Sequence, residues 1–279
     1  MKIIGRTADS DISTVYLAEL SGGRMIEFVE SVQPPIPRSE KWVLIISTLC
    51  GCPVGCGFCD SGDFYKGKLS KEEMFAQIDF AVRKYYPDGR IPQKKFKIQF
   101  ARMGDPALNH AVLDVLEEFD DRYDAPGFIP SVSTIAPAGC GEFILKLKDI
   151  KDRKYAGRFQ LQFSIHTTDR EQRDKLIPVR KLSFPEIAKL GDQFKSAGDK
   201  KISLNFALAE GNIVDPAVLK EHFDPRNYLV KLTPVNPTIS AGKNKIRSLA
   251  MLGEKLQEII NGLETAGYET ILSIGESEE

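Results

Sequence analysis

No apolar run in this sequence is long enough to span a bilayer. The opening residues, MKIIGRTADSD, lack the apolar stretch and small-residue cleavage site of a secretory signal. Neither a membrane role nor export is indicated, and a cytoplasmic protein is expected. Charge of either sign is not in excess: 38 Lys and Arg stand against 39 Asp and Glu, a formal net charge of -1. No global field therefore draws the chain to nucleic acid or to an anionic membrane. Cysteine is scarce, and five copies, an odd number without a signal, do not make a disulfide framework. Repeats and low-complexity tracts are absent. What remains is an ordinary globular composition over 279 residues, enough to bury one large core.

The chain opens with a small β-rich segment. Residues 14–20 alternate, Ser21-Gly22-Gly23 makes a turn and residues 24–32 follow, which predicts a hairpin. Gln33-Pro34-Pro35-Ile36-Pro37 is a stiff linker, because proline fixes φ and donates no backbone hydrogen bond. Residues 42–47 are a near-continuous apolar run, as in a strand buried on both faces. Five comparable strands follow at 96–101, 128–134, 159–165, 202–208 and 228–233. Helical patterns fill the gaps. Ser70 with Glu73 forms a capping-box signature ahead of Met74, Ile78, Val82 and Tyr85 on one face. Val112, Leu116 and Phe119 mark a second helix, and Ile187, Leu190 and Phe194 a third that ends by Gly198. The last runs from about Arg247 through Leu249, Leu252, Leu256, Ile259 and Leu263 to Gly267. This alternation predicts an α/β fold with a parallel sheet and right-handed crossovers. Six strands suit a partly open (β/α)6 barrel of TIM type. Residues 1–40 form the hairpin and linker, and 41–279 the core domain.

In parallel barrels functional groups gather at the C-terminal strand ends. Here those ends carry the cysteine loop, Arg102-Met103-Gly104-Asp105-Pro106, Ser131-Val132-Ser133-Thr134, Ser164-Ile165-His166 and Thr233-Pro234-Val235-Asn236-Pro237. Polar groups thus converge on one rim. Four of the five cysteines, Cys50, Cys52, Cys56 and Cys59, fall within ten residues. Cys52-x3-Cys56-x2-Cys59 offers three thiolates from one short loop, with Gly51, Gly55 and Gly57 permitting tight curvature. A four-iron cluster takes one cysteine per iron, so three ligands leave one iron open for another ligand. The competing reading is structural zinc with Cys50 as fourth ligand, although zinc sites usually draw their ligand pairs from separate segments.

Cys52-x3-Cys56-x-Phe58-Cys59 resembles the signature of the radical S-adenosylmethionine (SAM) superfamily. Further segments resemble one branch of it, the radical SAM rRNA adenine carbon-two methyltransferases and their antibiotic-resistance relatives. They are Cys59-Asp-Ser-Gly62 with Gly67-x-Leu69-Ser70-x-x-Glu73, Met103-Gly104-Asp105-Pro106-Ala-Leu-Asn109, Val132-Ser133-Thr134, and Phe163-Ser164-Ile165-His166. Arg173-Asp174-Lys175-Leu176-Ile177-Pro178, Leu232-Thr233-Pro234-Val235-Asn236-Pro237 and Gly267-Tyr268-Glu269-Thr270-Ile271 complete the series. The resemblance implies a [4Fe-4S] cluster on Cys52, Cys56 and Cys59, with S-adenosyl-L-methionine on its open iron. Phe58 would lie at the cofactor. Gly104 and Asp105 would hold the SAM amino group, where the branch usually has Gly-Glu. Ser133, the segment Ser164, Ile165 and His166, and Asn236 would line the cofactor site. The resemblance further implies reductive SAM cleavage, a reducing partner such as flavodoxin or ferredoxin, and RNA as target. A monomer is expected.

Three departures bear on the reaction. The branch uses a resolving cysteine upstream of the cluster, and an ungapped match places that position on Ile45. Its methyl-carrying cysteine would be expected beyond Glu279. Its N-terminal helical domain has no counterpart in the hairpin and linker. Cys50, Cys140 and Glu30 are the remaining catalytic candidates, Glu30 as the carboxylate nearest the branch's upstream acid. Basic runs at Lys146, Lys148, Lys151, Arg153, Lys154 and Arg158, and at Lys243, Lys245 and Arg247, lack the interleaved aromatics that stack bases. Two other readings stay open: non-methylating radical chemistry on a small molecule or peptide, and a metal-bound RNA-associated protein without catalysis.

Overall fold

The structure, a computed structural model, describes residues 1–9, 12–249 and 253–273. Its spine is one ten-stranded sheet in sequential order. Strands β1 (Lys2–Asp9), β2 (Ser13–Glu19) and β3 (Met25–Ser31) form an antiparallel meander, and β3 runs antiparallel to β4 (Lys41–Ile46). From β4 onward every pairing is parallel, through β5 (Lys95–Phe100), β6 (Phe128–Thr134), β7 (Gln160–Ser164), β8 (Ile202–Leu208), β9 (Tyr228–Pro234) and β10 (Thr270–Leu272). Helices α1 (Lys71–Tyr85), α2 (Ala111–Arg122), α3 (Gly141–Lys154), α4 (Arg170–Leu176), α5 (Phe184–Phe194), α6 (Pro216–His222), α7 (Ile239–Lys243) and α8 (Glu254–Thr265) fill the crossovers. The terminal strands β1 and β10 do not pair with each other, so the sheet is open. Among the described residues no helix is long and apolar enough to cross a membrane.

The six expected barrel strands are β4 to β9, each within a residue of its predicted bounds. The entry is larger than the expected hairpin, because β1 adds a third strand. A register shift between Ile3 and Gly5 breaks its alternation, which removes the period-two signal that marks a half-buried strand. A seventh parallel strand, β10, is only three residues long. The last helix begins at Glu254 rather than about Arg247, since residues 247–249 run as an extended segment with Ser248 bridged to Ala209. Leu252 lies outside the described residues. Helices α4, α6 and α7 span seven, seven and five residues, too few to repeat an apolar face.

Strand pleating divides the barrel into two environments. Trp42, Leu44 and Ile46 of β4 and Phe96, Ile98 and Phe100 of β5 join the main core with Met74, Phe75 and Ile78 of α1 and Val112, Leu116 and Phe119 of α2. The alternate residues point into the lumen, and there Ile45, Gln99, Asn205, Lys231 and Thr233 share one cavity. The entry of α1 is fixed by its capping box: Glu73 N–H donates to Ser70 Oγ at 3.2 Å, and Ser70 N–H to Glu73 Oε2 at 2.9 Å.

Candidate active site

The cysteine loop follows β4 and is tied down along its length. Cys52 N–H donates to the Ser61 carbonyl at 2.7 Å, Gly57 N–H to that of Leu176 at 2.9 Å, and Cys59 N–H to that of Cys56 at 3.1 Å. Asn244 Nδ2 donates to the Gly57 carbonyl at 2.7 Å and Thr238 Oγ1 to that of Phe58 at 2.9 Å, so α7 clamps the loop from above. The Asp60 carboxylate returns the contact, accepting from the amides of Ile239 and Ser240. Gly51 has φ 74°, and a Cβ there would lie 2.4 Å from the Phe64 carbonyl carbon. No other residue fits.

Cys52, Cys56 and Cys59 are free and half-buried. Burial raises the pKa of the Cys52 thiol, which nevertheless receives amide hydrogen bonds from Val54 and Asp105. Burial, reinforced by Cys59 and Cys52, drives that of Cys56 far above the ordinary thiol range. Burial and mutual repulsion thus oppose thiolate formation at Cys52 and Cys56, which suits a metal centre that supplies the positive charge itself. Among the described residues no three His, Cys, Asp or Glu groups converge on a single metal position. Cys50, the fourth ligand of the zinc alternative, is buried with its Sγ 3.2 Å from the Met25 carbonyl. The donor set fits a polynuclear cluster better than a mononuclear ion. When bound, such a cluster with an open iron supplies an electron to the sulfonium of SAM.

Gly104 has φ 91°, and a Cβ there would lie 2.3 Å from Leu49 Cγ. The glycine lets the β5 loop close against the residues that enter the cysteine loop, where Thr48 Oγ1 donates to the Gly104 carbonyl at 3.2 Å. Asp105 is turned inward. Its carboxylate accepts from Ala107 N–H at 2.9 Å, Ile135 N–H at 2.7 Å and Thr134 Oγ1 at 2.8 Å. Burial raises its pKa to about 6. These bonds join the ends of β5 and β6 and occupy the Asp105 carboxylate, and Asp105 is not among the residues that line the cavity described below. Ser133 and Ser164 are half-buried at the ends of β6 and β7, and Ile165 is fully buried.

His166 sits at φ 66°, a backbone region costly for a side chain with a Cβ and held only by its surroundings. Its amide donates to the Asn205 carbonyl at 3.1 Å, and Asn212 Nδ2 donates to its own carbonyl at 3.0 Å. Ala207 N–H donates to Nδ1 at 3.0 Å, which assigns the ring proton to Nε2. Burial, with Arg173 nearby, lowers the pKa to about 3. The Phe58 ring meets the imidazole edge-on, centroids 4.9 Å apart.

Phe58, Cys59, His166 and Asn236 line one cavity of ≈ 530 Å³ at the lumen mouth, together with Ile45. Sequence reasoning brought Phe58, Cys59, His166 and Asn236 together from three strand ends, those of β4, β7 and β9. It missed Glu27, which pairs with the rim residue Arg102 at 2.9 Å on the cavity wall, and the lumen residues Gln99, Asn205 and Lys231. For the three lumen residues strand alternation held the signal: each is a polar residue flanked by apolar ones in a barrel strand.

The three catalytic candidates are not brought to the cavity. Cys50 and Cys140 are packed in the main core, and burial raises the Cys140 thiol to about 11. Glu30 is 3% exposed, with Tyr16 Oη donating to it at 3.1 Å and Arg38 Nη1 2.9 Å away. Alternation along β3 explains the miss, because Glu27 lies on the cavity side and Glu30, an odd number of residues away, does not. The basic run of α3 is spent on carboxylates: Lys146 on Glu142, Lys148 on Asp152, Lys151 on Asp152 and Asp199, Arg153 on Glu117 and Asp149, Lys154 on Asp120. His110 is exposed ahead of α2, and His222 ends α6.

No protein-family model matches the chain. Among curated proteins it is 31% identical over 246 residues to a probable dual-specificity RNA methyltransferase RlmN of Pseudothermotoga lettingae, covering 86% of this chain and 67% of the relative. It is 29% identical over 260 residues to the corresponding protein of Desulfitobacterium hafniense, covering 90% and 69%. Among solved structures, a radical SAM methyltransferase from Sphaerobacter thermophilus superposes with a TM-score of 0.77 at 21% identity, over 99% of this chain and 77% of that one. That likeness carries the fold, and the closer sequence relatives carry the kinship. The chain belongs to the RlmN family of radical SAM proteins.

Proposed function

We propose that the protein is a radical SAM enzyme of methyltransferase type, acting on RNA as its family does. Cys52, Cys56 and Cys59 would hold a [4Fe-4S] cluster. Gly104, Ser133, Ser164, Ile165, His166 and Asn236 would shape the SAM site beside it, with Asp105 joining the ends of β5 and β6. A one-electron donor such as flavodoxin or ferredoxin would reduce the centre. One chain supplies the whole cavity, so the proposed unit is a monomer. The observation that carries the reading is the shared cavity of Cys59, Phe58, His166 and Asn236. There the locked imidazole offers Nε2–H as its one ring donor, and Phe58 excludes water from the loop edge.

A second reading rests on Ile45. Its side chain lines the same cavity, at the position where the branch carries its resolving thiol, and it offers no nucleophile. Radical chemistry that stops at hydrogen abstraction from a small molecule or peptide fits that wall. Product analysis after anaerobic incubation with SAM, reductant and bacterial rRNA divides the two. Methylated RNA with S-adenosylhomocysteine supports the first, and 5′-deoxyadenosine without RNA methylation supports the second.

A further inference from the structure

The residues that line the cavity fall into two tiers. Ala101, Ala207 and Thr233 line it near the mouth, and Gln99, Asn205 and Lys231, each two residues earlier in the chain, line it as well. Residues two apart on a strand share a face and stand about 7 Å apart along it. The second tier therefore lies deeper, toward the strands' N-terminal ends. Small side chains above leave a way down. The tier below is polar and carries two carboxamides, Gln99 and Asn205.

Asn205 carries an unmet hydrogen bond. It is 9% exposed, and its Oδ1 accepts from no donor among the described residues. Its backbone is fixed in place, because its carbonyl accepts from Ile165 N–H at 2.8 Å and from His166 N–H at 3.1 Å. A buried acceptor without a partner calls for a ligand N–H or O–H. Rotation about χ2 presents either the oxygen or the NH2 of the carboxamide to the cavity. Ser164 stands beside Asn205 in register on β7 but is not among the cavity-lining residues. The deep tier thus offers one built polar position that the fold itself does not use.

We propose that Asn205 is the specificity-determining residue of the substrate site, its carboxamide accepting from the amino group of an unpaired adenine that enters the lumen. A carboxamide matches adenine because it accepts from the 6-amino group while it donates to the neighbouring ring nitrogen. Guanine is met instead by a cation, and the amino group of cytosine by a carboxylate. Ile45, Phe58 and Val235 line the same cavity and give apolar surface for the faces of a ring. A base reaches this depth only when it is unstacked and turned out of its strand. The inference rests on the RNA reading above and adds the residue that selects the base.

The test is fluorescence anisotropy of labelled single-stranded hexanucleotides with the cluster-reconstituted protein under anaerobic conditions, SAM being saturating and no reductant added. One hexamer is of adenosine and the other of purine riboside, which lacks only the 6-amino group. The unmodified protein is expected to bind the first about tenfold tighter, the scale of one hydrogen bond lost at a buried partner. Asn205→Leu should bind the two equally, whereas Asn205→Asp keeps the acceptor and should keep the preference. The thermal midpoint of Asn205→Leu should be no lower than that of the unmodified protein, because Oδ1 has no hydrogen bond to lose. A lower midpoint, with the preference lost in Asn205→Asp as well, assigns the carboxamide to the fold and overturns the proposal. Equal binding of both hexamers by the unmodified protein overturns it and leaves the RNA reading in place. A preference that survives in Asn205→Leu while SAM binding weakens overturns it in favour of the cofactor. Binding of neither hexamer removes the RNA reading and the proposal together.

Discussion

Burial leaves His166 neutral through the range in which a surface histidine titrates, because its Nδ1 accepts from Ala207 N–H and its pKa falls from 6.5 to about 3. A histidine pKa lowered by folding has a definite sign: its contribution to stability is complete above pH 6.5 and is lost as the pH falls toward 3. Urea denaturation of the unmodified protein and of His166→Gln, from pH 7 to pH 4, is expected to show their stability difference shrinking with acidity. The limit is about 1.4 kcal/mol per pH unit. A difference that stays constant with pH contradicts the neutral, locked ring. Sequence alone placed His166 at a strand end, but its state depends on β8, some forty residues away. Asp105 is similar. Its motif was legible, yet the three donors that occupy its carboxylate come from its own turn and from the end of β6.

Elements with local signals were the most legible. Ser70 and Glu73 announce α1 by chemistry confined to four residues, and the apolar runs of β4 to β9 mark strands buried against helices. Ser70→Ala is expected to cost about 0.5–2 kcal/mol of stability, read from the urea midpoint, while the iron content of the reconstituted protein stays unchanged. Iron loss at the same time would show that the start of α1 also supports the cysteine loop, through Cys50 N–H on the Gly67 carbonyl. Elements set by pairing rather than pattern escaped notice: β1 with its register shift, β10 with three residues, and α7, whose five residues are clamped to Asp60 and Phe58. The surface of α3 reads as cationic in sequence. Its partners on α2 and beside β8 neutralise it, and only tertiary structure brings them there.

At the scale of the whole molecule, the antiparallel entry strands and the open parallel barrel form one sheet, with the cysteine loop at the mouth of a lumen that is polar at its floor. The loop's spacing made the cluster legible in sequence, because three ligands within eight residues need no long-range contact to meet. The lumen was not legible as a site, since Gln99, Asn205 and Lys231 converge only when β5, β8 and β9 curve around one axis. Ile45 belongs to both accounts: its place on the cavity wall separates methyl transfer from simpler radical chemistry without touching the initiating step. That step is common to both readings and is the central claim. It is tested most directly by reductive SAM cleavage, measured as 5′-deoxyadenosine release, in anaerobically reconstituted protein and in variants with Cys52, Cys56 or Cys59 changed to Ala. The account predicts about four irons per chain and 5′-deoxyadenosine from the unmodified protein, with neither from any of the three variants. A colourless protein that binds zinc and leaves SAM intact after reduction would contradict it.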